Sequence, residues 1–141
     1  MVTIITGIPG SGKTKQLVQL VHAAAERSAG NVVCIEKKRK LTHEVSNRVR
    51  LVTTDDYFIS GFDEFYGLIC GICARDHDIT DIFVDATLRI GSRDTGELLA
   101  FLKKIVRLAQ GSDKAFTFTV SANEADLPEE IFNICRRSVV S

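Results

Sequence analysis

The chain has 141 residues, 45% of them apolar and 26% charged. This is ordinary globular usage at a length that supports one domain, 1–141, and excludes a multidomain machine. Lys and Arg total 18 and Asp and Glu total 18, so the formal charge is zero and charge gives no support for nucleic acid or an anionic membrane as partner. The opening Met1-Val2-Thr3-Ile4-Ile5-Thr6 lacks a leader's basic region and long apolar run, and no stretch approaches the ~18 apolar residues of a membrane span. The expectation is a cytoplasmic protein without a membrane span, whose Cys34, Cys70, Cys73 and Cys135 stay reduced.

In chain order, residues 2–6 form a β-branched run that stops at Gly7, and Leu17, Leu20, Val21, Ala24 and Ala25 then recur at helical spacing until Gly30. Val32-Val33-Cys34-Ile35 predicts a second strand, the polar stretch 36–47 has room for a short helix, and 49–53 predicts a third strand. Ser60 and Asp63 resemble a capping box ahead of a helix over about 62–76, with Phe62, Phe65, Ile69, Ile72 and Cys73 as its apolar stripe. Ile82-Phe83-Val84 is a strand ending on Asp85. Asp94 and Glu97 open the next helix, Leu98, Leu102, Ile105 and Ala109 carry its stripe, and Gly111 is its predicted stop. Residues 116–120 form a fifth strand. Asp126-Leu127-Pro128-Glu129 opens a last helix with Pro128 in its first turn, and Ser138-Val139-Val140 can add a sixth, edge strand. Strands apolar throughout and separated by helices predict a three-layer α/β/α sandwich around a five- or six-stranded, mainly parallel sheet.

The segment Gly7-Ile8-Pro9-Gly10-Ser11-Gly12-Lys13-Thr14 matches G-x-x-x-x-G-K-[ST] in full. At average residue usage a chance match in a chain this long is on the order of 1%. It also lies between an apolar strand and an amphipathic helix, where the chemistry requires it. Such a loop wraps its backbone N–H groups around phosphate oxygens, and side chains at the three glycines would block that approach or the positive φ it needs. The following helix adds free N–H groups and the positive end of its dipole. Lys13 supplies a point charge for the β- and γ-phosphates, and the Thr14 hydroxyl suits Mg²⁺. Residues Gly7, Ile8, Pro9, Gly10, Ser11, Gly12, Lys13, Thr14 and Lys15 are therefore the expected nucleotide-binding set.

On these residues the chain resembles the P-loop NTPase superfamily over its whole length, and within it the RecA-like branch with an additional strand. Overall it is similar to short bacterial proteins labelled as related to twitching-motility retraction ATPases. The length leaves no room for the separate N-terminal domain of those motors. The resemblance implies binding of Mg²⁺ and a nucleoside triphosphate, with ATP expected because the guanine motif Asn-Lys-x-Asp is absent. It also implies a second motif, an apolar strand ending in an acid that holds Mg²⁺, and Ile82-Phe83-Val84-Asp85 fits it. Ala86 stands where many members of that branch carry the glutamate that polarises water. A catalytic base must then come from a neighbouring strand, and Glu36, after the second strand, and Asp56, after the third, are the candidates beside Lys13. Ser121 and Asn123, after the fifth strand, occupy the place of a polar sensor of the γ-phosphate. The branch also inserts the fifth strand between the first and fourth.

Other clusters carry less. Cys70 and Cys73 form Cys-x-x-Cys on an apolar helix and read as thiols filling a core. Lys37-Lys38-Arg39-Lys40 reads as a solvated loop without aromatic interleaving. Arg89 and Arg93 are candidates to reach phosphate, and Arg136 and Arg137 to serve a neighbouring subunit. Three functions follow: an ATPase with slow or partner-dependent turnover, a small-molecule or nucleoside kinase, and a non-hydrolysing nucleotide-dependent scaffold. The shortness of the chain leaves a homo-oligomer or a protein partner to supply what it lacks.

Overall fold

The computed structural model describes residues 1–139. In chain order the elements are β1 (Val2–Gly7), α1 (Lys13–Arg27), β2 (Asn31–Glu36), β3 (Arg50–Thr53), α2 (Phe62–Arg75), β4 (Ile79–Val84), α3 (Thr87–Ile90), α4 (Thr95–Ser112), β5 (Ala115–Ser121), α5 (Glu129–Ile134) and β6 (Arg136–Val139). Short 3-10 turns lie at Thr54–Tyr57 and Glu124–Asp126.

All six strands are parallel, in the order β3-β2-β4-β5-β1-β6. The fifth strand thus separates β1 from β4, as the resemblance implies. Alternation along the strands divides the core between two faces. Ile5, Val32, Cys34 and Phe83 meet Leu17, Val21 and Ala24 of α1 on one face. Ile4, Ile35, Ile82, Val84, Phe116 and Phe118 meet α2 and α4 on the other. Helices on both faces of a parallel sheet make the α/β/α sandwich.

Phe101 of α4 packs at 5.0 and 5.4 Å (ring centroids) from Phe62 and Phe65 of α2 and edge-on at 5.6 Å to Phe118 of β5, so one ring ties the outer layer to the sheet. Burying Leu98, Phe101, Leu102 and Ile105 stabilises α4 by about 1.5–3 kcal/mol per side chain.

Several local expectations differ from the structure. The stretch 36–47 holds turns and bends but no helix. At the start of α2 the cap position is Gly61, without a side-chain cap, and Glu64 instead reaches back to accept the Ser60 N–H at 2.8 Å. Helix α4 runs through Gly111 and ends where Asp113 turns left-handed, φ 56°. Asp94 does cap α4, accepting the Gly96 and Glu97 N–H groups at 2.9 and 3.1 Å. Pro128 is the cap of α5 rather than a residue of its first turn. The sixth strand starts two residues earlier than expected, at Arg136, and Val140 lies outside the described residues. Among the described residues no helix is long and apolar enough to cross a membrane.

Candidate functional site

The carboxyl ends of β1, β2, β4 and β5 open onto one cavity of about 700 Å³, lined by Pro9, Gly10, Gly12, Lys13 and Thr14 from the glycine loop. Glu36 from β2, Asp85 and Ala86 after β4, and Thr119 and Ser121 of β5 also line it. This is where an open parallel sheet places its ligands, at a point where neighbouring strands send their connections to opposite faces.

The loop takes its shape from its glycines. Gly10 and Gly12 adopt φ of 82° and 97°, which a Cβ makes costly. A Cβ on Gly7 would stand 2.5 Å from Ser11 Oγ. Helix α1 begins directly after Gly12 with no acidic residue in its first turn, so its free N–H groups and positive dipole end face the cavity uncompensated.

Lys13 is buried, with 6% of its surface exposed. Its ammonium donates to Ile8 O at 2.8 Å and Ser11 Oγ at 3.4 Å. Burial lowers its pKa, and the nearby Asp85 charge partly opposes that shift. A desolvated cation whose hydrogen bonds, among the described residues, go to neutral oxygens is poised to gain from an anion.

Thr14 and Asp85 meet across the mouth of the site, the hydroxyl donating to Oδ2 at 3.0 Å and Oδ1 at 3.2 Å. Asp85 is held from two further directions. Its N–H donates to Ile35 O at 2.9 Å, and its Oδ1 accepts from the Thr119 hydroxyl at 2.7 Å. Thr119 in turn accepts the Ala86 N–H at 2.8 Å. Ala86 has φ 58°, a left-handed conformation unusual for alanine, and it turns the chain from β4 into the single turn of α3.

Glu36 is buried at 3% exposure. Its carboxylate accepts the Lys40 N–H at 2.9 Å and the Leu41 N–H at 3.3 Å. Burial raises its pKa, with the Asp85 charge adding to the rise and the two N–H groups and the Lys40 charge opposing it. Cys34 is pushed up to about 12 by burial and by the Glu36 and Asp85 charges, so it stays a neutral thiol and is no nucleophile.

The other candidates fall elsewhere. Asp56 does not line the cavity. It pairs with Arg39 at 2.7 Å on the exposed 3-10 turn, and Asp55 pairs with Lys37 at 2.8 Å. Gly7, Ile8, Ser11 and Lys15 shape or flank the loop without lining the cavity, and Lys15 is exposed. Ser121 does line it, in register with Gly7 across the β1–β5 pair. Arg89 lines it and Arg93 does not. Arg137 is engaged within its own chain, 3.2 Å from Glu124 and over the Phe132 ring.

Two features escaped the sequence reading. Thr119 is one of them, because the sequence points to polar groups after the fifth strand, whereas Thr119 lies inside β5, which continues to Ser121. The period-2 alternation that buries Phe116, Phe118 and Val120 on the α2/α4 face places Thr117, Thr119 and Ser121 on the α1 face. The second feature is the basic segment after β2, of which Lys37, Lys38 and Lys40 line the cavity.

The chain matches no protein-family model and no curated protein.

Thr14 and Asp85 suit a hard divalent cation. Both offer oxygen donors, their side chains lie within hydrogen-bond distance of each other, and one carries a full charge.

Proposed function

We propose that this chain is a P-loop NTPase-like protein that binds a nucleoside triphosphate with Mg²⁺, ATP being the expected nucleotide, and hydrolyses it slowly or on engaging a partner. The observation that carries the reading is the meeting of Thr14, at the end of the glycine loop, with Asp85, at the end of β4, at 3.0 Å across 71 residues of sequence. Two segments picked out for separate parts of one chemistry thus converge beside a buried lysine that, among the described residues, forms no ion pair. The insertion of β5 between β1 and β4 supports the same reading.

In this reading the N–H groups at the start of α1 and the Lys13 ammonium bind the phosphate oxygens, the ammonium exchanging Ile8 O and Ser11 Oγ for stronger acceptors. Thr14 and Asp85 would hold Mg²⁺, which supplies charge neutralisation on the phosphates. Thr119 fixes the Asp85 carboxylate. Glu36 is the base of choice, since it lines the cavity and its raised pKa strengthens it as a proton acceptor. It would take the proton of a water whose oxygen attacks the γ-phosphorus as the bond to the departing diphosphate breaks. Asp56, paired with Arg39 outside the cavity, has no such role in this scheme.

The test is ATP binding measured with and without Mg²⁺. The wild type should bind more tightly with Mg²⁺, and Thr14→Ala and Asp85→Asn should each abolish that Mg²⁺-dependent gain. A gain that survives in both variants would refute the assignment.

A further inference from the structure

The cavity gathers cations beyond Lys13, together with the carboxylates of Glu36 and Asp85. Beyond Lys13, its lining includes Lys37, Lys38, Lys40 and Arg89. Lys37 is neutralised by Asp55, while among the described residues Lys38, Lys40 and Arg89 form no ion pair.

The backbone that carries these three exposed side chains is held in place by the fold. The segment after β2 is bent back by Glu36, whose carboxylate accepts the Lys40 and Leu41 N–H groups. Leu41 is buried at 1% exposure, and a second tie joins Lys37 O to the Asp55 N–H at 3.0 Å. On the other side Arg89 rides on α3, set by the left-handed Ala86, whose N–H is fixed by Thr119 and whose carbonyl accepts the Arg89 N–H at 2.9 Å.

Their position separates them from the glycine loop. Strand β2 lies three steps from β1 in the sheet, a span of about 14 Å at the usual inter-strand spacing. The Lys38 and Lys40 backbone is thus far from the amides that cradle a triphosphate, on the side of the cavity beyond Asp85.

We propose that Lys38, Lys40 and Arg89 form a second anion subsite in the nucleotide cavity, one that takes the phosphate of a separate ligand, free or as a phosphomonoester, beside the bound triphosphate. The inference rests on the nucleotide reading of the glycine loop. Like charges that line one cavity repel, and a dianionic phosphate would offset that repulsion while accepting charge-assisted hydrogen bonds. Arg89 offers a planar fork and the lysines offer movable point charges.

The experiment first titrates the β,γ-imido analogue of ATP with Mg²⁺ into the protein. Inorganic phosphate or ribose 5-phosphate is then added to the loaded protein at constant ionic strength and followed by ³¹P NMR and calorimetry. The loaded wild type should bind the phosphate probes saturably. The double variant Lys38→Ala/Lys40→Ala should lose at least ~10-fold in probe affinity, as expected for charge-assisted bonds, with less than about a twofold change for the analogue. Tighter binding of ribose 5-phosphate than of phosphate assigns the subsite to an ester, and equal binding to free phosphate. Absence of saturable probe binding overturns the proposal. So does a double variant that weakens the analogue as much as Lys13→Ala does, since the cations would then serve the triphosphate. Failure of the underlying reading shows earlier, as absence of Mg²⁺-dependent analogue binding to the wild type, and it overturns the subsite as well.

Discussion

Thr119→Val keeps the shape of a side chain that is 1% exposed and removes only its hydroxyl. Two bonds go with it, the 2.7 Å donation to the Asp85 carboxylate and the 2.8 Å acceptance from the Ala86 N–H. A hydrogen bond to a charged group contributes about 1.5–3 kcal/mol, and an N–H left without a partner costs about 1–3 kcal/mol when buried. Ala86 is half-buried, so water recovers part of the second loss, and the expected destabilisation is about 2–4 kcal/mol. Urea denaturation at pH 7 reads this as a lower midpoint at unchanged slope. Asp85 keeps Thr14 as a donor but loses the bond that fixes its rotation, so the Mg²⁺ dependence of ATP binding should weaken by about 10–100-fold, as for other partners of a metal ligand. Thr119→Ser should restore most of both. A Val variant within ~0.5 kcal/mol of wild type and with unchanged Mg²⁺ dependence would refute the claim that Thr119 positions Asp85.

Ala86→Gly relieves a left-handed alanine at φ 58°. A left-handed L-residue costs about 1–2 kcal/mol, and glycine's extra freedom in the unfolded chain returns about 0.4–1 kcal/mol, so urea denaturation should find the variant more stable by about 0.5–1 kcal/mol. A destabilised variant would contradict the geometry of this turn. Glu36→Gln tests the buried carboxylate through pH. Because the folded-state pKa lies above the ordinary 4.5, the folded chain holds this proton more tightly than the unfolded one. Wild-type stability relative to Glu36→Gln should therefore fall as pH rises from 4.5 through the raised value, then level off. Urea midpoints across that range that shift in favour of the wild type would reverse the sign of the reasoning.

The parts of the site legible in the sequence were those set by local rules. The glycine loop needs particular residues at particular offsets, two of its glycines take positive φ, and a carboxylate ending an apolar strand reaches the carboxyl edge of any parallel sheet. The parallel sheet was also legible from its apolar strands and intervening helices, and the place of the fifth strand came from the resemblance. What escaped depends on which strands become neighbours. Glu36 and Asp56 looked equivalent as acids after strands, yet the β2–β3 pairing brings Lys37 to Asp55 and Arg39 to Asp56 and so removes Asp56 from the cavity. The lysines that read as a solvated loop stay exposed beyond Lys37, yet they border the cavity because Glu36 folds the segment back on itself. The stop of α4 was misplaced because a lone glycine inside a helix costs only about 1 kcal/mol, less than the packing of the apolar stripe contributes, and Asp113 then supplied the left-handed end.

The central claim is that the glycine loop, with Lys13 as its buried cation, is a triphosphate site. Calorimetric titration of ATP with Mg²⁺ into the wild type and into Lys13→Met tests it most directly. The variant replaces a desolvated ammonium by an apolar side chain of similar length, so it should unfold at a urea concentration no lower than the wild type while losing at least ~10-fold in affinity. Undiminished binding by a folded Lys13→Met protein would contradict the assignment.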